Sequence, residues 1–156
     1  MGKRVVRVFL DSNVILSGLL SESGAPRILL DLLSLRLPFL TGSTGRYNLI
    51  EIERNLKKKM PNLLPLFKAY LHKLNLKFIS LPRPKDLRDF SEQIAEKDAP
   101  VLLSAIESKT DFLVTGDKQH FGKMKEPNEY PFQVVTPSEF IDSILPEILK
   151  GLEEKE

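Results

Sequence analysis

Short, nearly continuous apolar runs alternate along the chain with longer segments in which apolar residues recur every three or four positions. The apolar runs predict buried β-strands at residues 4–10, 38–41, 76–81, 111–114 and 132–135. The periodic segments predict α-helices at about residues 12–20, 26–35, 45–59, 64–74, 86–94 and 100–108, and a last helix from residue 137. Strands that alternate with helices are typical of a parallel sheet covered on both faces. The sequence therefore predicts a three-layer α/β/α domain with a central, mainly parallel sheet of about five strands.

Capping residues and prolines mark where several of these helices begin and end. We expect Ser43 or Thr44 to cap the third helix. That helix ends in three lysines, 57–59, where positive charge suits the carbonyl end of a helix. Thr136 begins a capping-box pattern, and Pro146 is expected to bend or restart the last helix.

Composition limits the classes of protein and of metal site that the chain can form. A chain of 156 residues, 42% hydrophobic and 28% charged, suits one globular domain, which we place at residues 1–150, followed by a frayed acidic end at 151–156. Because there is no Cys and there are two His, thiolate zinc sites, iron–sulfur clusters, cysteine nucleophiles and all-histidine sites are excluded. Any metal must therefore be held by oxygen. There is no signal-peptide or membrane-spanning pattern, so we expect a cytoplasmic location.

The net charge of +2 conceals an uneven distribution of charge along the chain. Residues 23–85 hold 12 Lys or Arg against 3 acidic residues, whereas residues 126–156 hold 2 against 8. Such asymmetry is a hint of a polyanionic partner, although solvated lysine-rich helix faces would produce the same count.

Three aspartates stand at the ends of strands or the starts of helices. Asp11 follows the first predicted strand directly, and Asp117 follows the fourth after Thr-Gly. Parallel strands bring their carboxyl ends to one edge of the sheet, where such folds bind ligands, so these two aspartates are expected to lie close together. Asp98 precedes Pro100 at a helix start and is expected near the same edge. Each aspartate could also cap the helix that follows it, a role that is compatible with facing a site.

The third helix offers two candidates for a fourth acid, Glu51 and Glu53. Glu53 has Lys57 four residues later, a favourable exposed pair, whereas Glu51 has the neutral Asn55 at that spacing. Glu51 is thus the acid without a local partner, and it is the preferred candidate. Glu53 lies nearer the apolar stripe of the helix, so helical periodicity leaves the choice between them open.

Clustered carboxylates are the ligands that Mg²⁺ or Mn²⁺ prefers, since hard cations bind oxygen and retain several waters. One or two such ions could activate water and stabilise the charge that develops during phosphodiester hydrolysis. The acidic set therefore favours a metal-dependent hydrolase.

The ordered set of segments resembles the PIN-domain family of small metal-dependent nucleases, and it is most similar to the VapC-like toxin branch, the ribonucleases of toxin–antitoxin pairs. The resemblance spans residues 4 to about 136. The matching segments are FLDSNV at 9–14, LIEIERNL at 49–56, KDAP at 97–100 and VTGDK at 114–118.

The resemblance implies roles for the matching residues. The family's catalytic and metal-binding acids fall on Asp11, Glu51, Asp98 and Asp117, and its supporting polar residues fall on Ser12, Asn13 and Thr115. It also implies a Mg²⁺ or Mn²⁺ cofactor. The implied substrate is RNA, most simply single-stranded. The implied partners are an inhibitory antitoxin and a second copy of the chain in a homodimer, with no membrane association. The sequence departs from the family in two places. Ser12 stands where Thr is usual, and glycines precede the helix that carries Glu51. The direction in which the Glu51 side chain points is therefore left open.

Basic residues near the acidic set are candidate contacts for an RNA backbone. They are Arg46, Lys57, Lys58, Lys59 and Lys118. We expect Arg46 and lysines 57–59 to border the cleft, and the acidic residues after 126 to lie away from it. Simple termination of a solvated helix is the alternative role for the lysines.

Three hypotheses of function follow. The first is a Mg²⁺- or Mn²⁺-dependent endoribonuclease, the toxin of a toxin–antitoxin pair. The second is a catalytically weak or inactive module on the same fold that binds RNA or protein. The third, an aspartyl phosphatase of the haloacid-dehalogenase kind, needs a second Asp two residues after the first, and Asn13 occupies that place.

Overall fold

Five parallel strands form the centre of the molecule. The computed structural model describes residues 5–91, 98–117 and 130–154. Within these ranges the strands are β1 (Val6–Leu10), β2 (Leu40–Gly45), β3 (Leu76–Ile79), β4 (Phe112–Val114) and β5 (Gln133–Val135). Their order in the sheet is β3-β2-β1-β4-β5, and each neighbouring pair is parallel. The predicted five-stranded parallel sheet is confirmed.

Helices occupy the connections from β1 to β2, from β2 to β3 and from β3 to β4, and further helices follow β5. They are α1 (Ser12–Leu20), α2 (Ala25–Ser34), α3 (Arg46–Lys59), α4 (Leu64–Leu74), α5 (Pro84–Ser91), α6 (Ala99–Glu107), α7 (Pro137–Glu139) and α8 (Leu145–Glu154). A 3₁₀ turn, Pro61–Leu63, precedes α4. Across the described ranges, none of these helices is both long enough and apolar enough to cross a bilayer.

The chain after β5 is helical almost to its end. Thr136 and Glu139 form the predicted capping box, with Thr136 Oγ1 accepting from Glu139 N at 3.1 Å and Glu139 Oε1 accepting from Thr136 N at 2.9 Å. A π-helical turn, Phe140–Ile144, joins α7 to α8 just before Pro146, where an interruption was expected. Since α8 continues through Glu154, the domain boundary that we placed at residue 150 falls inside a helix.

The side chains of β1 alternate between two apolar clusters, one on each face of the sheet. Val8 and Leu10 are fully buried in the larger cluster, where residues of α1, α2, α3, α4 and the π-helical turn pack together. Phe9 points to the other face and packs with Leu102 of α6 and Leu113 of β4. The two clusters with the sheet between them form the predicted three layers.

Strand β2 extends farther than the sequence predicted. The strand was expected at 38–41, with Ser43 or Thr44 as a helix cap, and this prediction was wrong because both residues belong to β2. Their hydroxyls bond to carbonyls of β1 instead: Thr44 Oγ1 donates to Leu10 O at 2.8 Å, and Ser43 Oγ donates to Val8 O at 3.4 Å. These bonds join β1 to β2. Because Ser43 and Thr44 belong to the strand, the next helix begins after them.

Helix α3 consequently begins at Arg46, with Gly45 in the N-cap position. The backbone N–H of Gly45 donates to the side-chain oxygen of Asn48 at 3.3 Å. Helix α3 therefore begins directly after β2, at the carboxyl edge of the sheet.

Candidate active site

A cleft of about 280 Å³ opens at the carboxyl edge of the sheet. Leu10 pairs with Val114, so the residues that follow β1 and β4 lie side by side at this edge. Helices α3 and α6 complete the walls. The cleft is lined by the four predicted acids, Asp11, Glu51, Asp98 and Asp117, and by Ser12, Asn13, Leu16, Ile52, Asn55 and Val101.

Asp11 lies at the base of the cleft and is 8% exposed. Its Oδ1 accepts from Ser12 N at 2.8 Å, which caps α1, and from Asn48 Nδ2 at 3.3 Å. Its Oδ2 accepts from Thr115 Oγ1 at 2.8 Å. The Asp11 carboxylate therefore both caps a helix and faces the site. Three hydrogen-bond donors fix its direction.

The environment of Asp11 disfavours its charge. Burial raises the pKa of Asp11 above its ordinary value of 3.8, and the hydrogen bonds from Thr115 and Ser12 lower this pKa in part. The negative charges of Glu51 and Asp98 raise the pKa further. A cation among these carboxylates would favour the ionised form.

Glu51 projects from α3 into the cleft and is half-buried. Ser12 Oγ donates to Glu51 Oε1 at 2.7 Å, which links the glutamate to the start of α1. Glu53 is exposed and does not line the cleft. Of the two glutamates that the sequence left open, the structure places Glu51 at the site.

Thr115 and Asn13 hold the segment that carries Asp117. Thr115 is fully buried, and its Oγ1 accepts from Asp117 N at 3.1 Å and from Asn13 Nδ2 at 3.5 Å. Asn13 Oδ1 accepts from Gly116 N at 2.9 Å. These bonds join the start of α1 to the end of β4 and set Asp117, which is exposed, at the rim of the cleft.

Asp98 occupies the N-cap position of α6 but does not cap the helix with its side chain. Its backbone oxygen accepts the first helical bond, from Leu102 N at 3.1 Å. Its side chain is 7% exposed and lines the cleft. The capping role that the sequence suggested for this side chain is therefore not observed.

Asn48 was missed by the sequence analysis, although it lies behind the acids at the centre of the arrangement. It is fully buried and donates through Nδ2 to Asp11 Oδ1 at 3.3 Å and to Ser12 Oγ at 2.8 Å. One signal could have found it. Asn48, Glu51 and Asn55 follow one another at spacings of three and four residues, a polar row that runs beside the apolar stripe of α3.

The donor set suits a hard divalent cation in its chemistry. Four carboxylates reach one cleft, and carboxylate oxygens are the ligands that Mg²⁺ and Mn²⁺ prefer. In the part of the chain that the structure describes, however, no group of three or more acidic or histidine side chains is arranged closely enough to hold an ion. The site thus has the right donors, but they are not grouped as a coordination shell.

Contrary to expectation, the four basic candidates that the structure describes are spread along α3 and do not line the cleft. Arg46 and lysines 57–59 are exposed, and Lys118 lies outside the described residues. At about 100° per residue, Lys58 lies about 20° from Glu51 around the helix axis, about 10 Å farther along it, whereas Lys57 and Arg46 lie more than about 100° away. Among the four described candidates, Lys58 has the direction closest to that of Glu51.

Of the acidic residues after 126, Glu147 lies at the opposite edge of the sheet, whereas Glu139 follows the carboxyl end of β5. Glu147 and Ile148 of α8 line a groove with Val6 and Phe112, the first residues of β1 and β4. Amino ends and carboxyl ends of parallel strands are on opposite edges, so this part of α8 is remote from the cleft.

The sequence matches the model of a known family, and the fold is similar to that of solved structures. A family model described as PIN domain matches residues 7–119. The chain is similar in fold to the crystal structure of VapBC2 from Rickettsia felis bound to a DNA fragment from their promoter, with a TM-score of 0.61, 14% identity and coverage of 84% of this chain and 98% of that one. It is also similar to the crystal structure of PAE2754 from Pyrobaculum aerophilum, with a TM-score of 0.59, 14% identity and coverage of 94% and 98%. No curated protein matches the sequence.

Proposed function

Because the chain belongs to the PIN domain family, whose model matches residues 7–119, we propose that it is a Mg²⁺- or Mn²⁺-dependent endoribonuclease. PIN domains as a class are nucleases. The observation that supports this proposal most strongly is that four carboxylates, drawn from four separate segments, line one cleft. We assign metal binding and catalysis to Asp11, Glu51, Asp98 and Asp117, and support of these acids to Ser12, Asn13 and Thr115.

The four acids differ in how deeply they are buried, and this difference suggests different roles in binding an ion. Asp11 and Asp98 are buried and form the fixed side of the cleft. Glu51 is half-buried and accepts a hydrogen bond from Ser12, whereas Asp117 is exposed, so rotation of the Asp117 side chain is the simplest way to close the set around an ion. A bound Mg²⁺ or Mn²⁺ would supply charge neutralisation at the scissile phosphate and an activated water. The exposed rim leaves room for a single strand to reach that point.

We further propose that the chain is the toxin of a toxin–antitoxin pair. One structure of similar fold, VapBC2, was solved with DNA from its promoter, and the analogy extends to this chain at the level of fold. On this proposal an antitoxin protein is the partner, single-stranded RNA is the substrate and the toxin pairs as a homodimer. A cytoplasmic location remains a prediction.

Metal-dependent RNA cleavage by the purified protein tests the proposal. We expect single-stranded RNA to be cleaved with Mn²⁺ or Mg²⁺ and to remain intact in EDTA. Asp11→Asn and Asp117→Asn should each abolish cleavage, and cleavage that survives in both variants would indicate a contaminant and sink the proposal. Glu51→Gln and Glu53→Gln form a matched pair, since only the first removes a carboxylate that lines the cleft.

A second candidate function is a module that binds RNA or protein without turnover. One observation favours it: among the described residues, no three acids are already grouped for an ion. RNA binding that is equally tight in EDTA and in Mn²⁺, with no cleavage in either, would support this candidate over the nuclease.

A further inference from the structure

Asn48 connects the start of α3 to Asp11 and to Ser12, the first residue of α1. Its Oδ1 accepts from Gly45 N at 3.3 Å, and its Nδ2 donates to Asp11 Oδ1 at 3.3 Å and to Ser12 Oγ at 2.8 Å. A side-chain amide has two N–H donors, and both are used here. Exchange of the amide oxygen and nitrogen would turn the oxygen towards the Asp11 carboxylate and the NH₂ towards the Gly45 N–H. The hydrogen-bond partners therefore determine one orientation of this buried side chain.

The Ser12 hydroxyl connects Asn48 to Glu51 by hydrogen bonds. Since Asn48 donates to Ser12 Oγ, the Ser12 hydroxyl is an acceptor on that side and has one hydrogen to donate. Its short acceptor is Glu51 Oε1 at 2.7 Å, and the other contact, to the carbonyl of Asn48, is longer at 3.4 Å. A chain of hydrogen bonds thus runs from Asn48 through Ser12 to Glu51.

Asp11 and Glu51 line the same cleft, so their negative charges repel each other. A neutral amide places N–H dipoles towards one carboxylate directly and towards the other through a hydroxyl, without adding charge. A carboxylate offers about four acceptor positions, and Asp11 uses three of them for Ser12, Asn48 and Thr115. Counted over the residues that the structure describes, one acceptor position of Asp11 remains for a cation.

We infer that Asn48 is a positioning residue that holds the carboxylates of Asp11 and Glu51 in a fixed mutual arrangement for divalent-cation binding. This inference rests on the proposed function. Asn48 acts through the two acids and not on the substrate. Partners of this kind, bonded to metal ligands, commonly contribute about 10- to 100-fold to metal affinity or activity.

Gly45 gives independent support, because the space for the Asn48 amide exists only beside a residue without a side chain. A Cβ at position 45 would lie 2.9 Å from Asn48 Oδ1 and 3.0 Å from Ser104 Oγ. Gly45→Ala should therefore displace the amide and weaken cation binding in the same direction as a substitution of Asn48.

A helix-capping role alone would make a different prediction. The bond from Gly45 N to Asn48 Oδ1 stabilises the start of α3, and its loss would lower the stability of the protein without changing its affinity for a cation. Stability and Mn²⁺ affinity must therefore be measured on the same variants.

The test is Mn²⁺ binding by the full chain, measured by electron paramagnetic resonance or calorimetry, alongside urea unfolding. The variants are Asn48→Leu, which keeps the branch at Cγ and removes the donors, Ser12→Ala, and the two combined. Thr136→Ala is the matched control, since it removes a capping hydroxyl from α7, outside the cleft. We expect Asn48→Leu to weaken Mn²⁺ binding about 10- to 100-fold. Ser12→Ala should weaken it less, because it frees Glu51 but leaves the bond from Asn48 to Asp11.

The double variant tests the route through Ser12. If Asn48 acts on Glu51 through this hydroxyl, the two substitutions remove one shared link, and their combined effect is smaller than the product of the single effects. Independent effects that multiply would overturn the route. Ser12→Ala leaves the helix cap intact, so it carries the test if Asn48→Leu does not fold.

The remaining outcomes separate this inference from the proposed function. Mn²⁺ affinity in Asn48→Leu that equals that of Thr136→Ala overturns the inference and leaves Asn48 as a helix cap, even if the wild-type protein binds Mn²⁺ and cleaves RNA. A wild-type protein that does not bind Mn²⁺ overturns both.

Discussion

The hydroxyl of Thr115 donates to Asp11 Oδ2 at 2.8 Å and joins residues that are 104 positions apart in the sequence. They meet because β1 and β4 are neighbours in the sheet, with Leu10 paired to Val114. The same hydroxyl oxygen accepts from Asp117 N at 3.1 Å. One buried side chain therefore orients the acid at the base of the cleft and the backbone of the acid at its rim.

Thr115→Val should test this double role, since it keeps the shape of the side chain and removes the hydroxyl. We expect RNA cleavage efficiency to fall about 10- to 100-fold, because Asp11 loses a donor that fixes its direction. The free energy of unfolding should fall by about 1–3 kcal/mol, because the buried Asp11 carboxylate loses a hydrogen-bond donor. Cleavage kinetics and urea unfolding measure the two effects. Thr115→Ser, which keeps the hydroxyl, is the control, and equal activity in the Val and Ser variants would contradict the assignment.

The raised pKa of Asp11 predicts how Mn²⁺ stabilises the protein at different pH values. A carboxyl with a raised pKa in the folded state is destabilising when ionised. That penalty is fully present above the raised pKa, shrinks as the pH falls towards 3.8, and is absent below it. Mn²⁺ binds the ionised form, so at 100 times its dissociation constant it should add about 2.7 kcal/mol at pH 7. This gain should decline at a higher pH than an ordinary Asp would produce, because protons compete for Asp11.

Urea unfolding with and without Mn²⁺, from pH 7 down to about pH 4, measures this dependence. Asp11→Asn is the control, and it should show little stabilisation by Mn²⁺ at any of these pH values. A gain that is the same in both proteins would place the ion away from Asp11.

Replacement by alanine should have opposite effects at Gly18 and Gly151. Both glycines lie in helices, but their surroundings differ. A Cβ at Gly18 would overlap Leu30 Cδ1, which is fully buried between α1 and α2. Gly18→Ala should therefore cost about 1–3 kcal/mol of stability, offset in part by up to about 1 kcal/mol of helix propensity. Among the described residues, nothing lies within 4 Å of a Cβ at Gly151, so Gly151→Ala should stabilise by up to about 1 kcal/mol. Urea unfolding of the pair checks the prediction, and destabilisation by both substitutions would contradict it.

The parts of the site that the sequence predicted are those encoded within one segment. An apolar run followed by an aspartate is enough to place Asp11 and Asp117 at the carboxyl edge of a parallel sheet. The choice of Glu51 over Glu53 rested on a local charge pair, and the structure puts Glu51 in the cleft. Each of these inferences needed only a few neighbouring residues.

The parts that the sequence did not predict depend on residues far away along the chain. Ser43 and Thr44 have the side chains of helix caps, but they bond to carbonyls of β1 that are 35 and 34 positions away. Their inclusion in β2 moves the start of α3 to Arg46 and brings Asn48 against Asp11. Asn48 has the Gly45 N–H as a partner in its own segment, but its NH₂ group bonds to Asp11 and Ser12, which are 37 and 36 positions away, so its role at the site is visible only in the folded protein.

Lys58 and Lys57 provide the last prediction, which concerns the binding of RNA. Lys58 points within about 20° of Glu51 around the axis of α3, whereas Lys57 points about 120° away. A strand that crosses the cleft at Glu51 and continues along α3 would meet Lys58 and not Lys57. Lys58→Ala should therefore lower RNA affinity and reduce the slope of log affinity against log salt by about 0.7, the value for one phosphate contact with a single strand. Binding of uncleavable RNA by the Asp11→Asn background at several salt concentrations measures this slope, with Lys57→Ala as the control of equal charge. If the two lysine variants bind alike, the strand does not follow α3 in this direction.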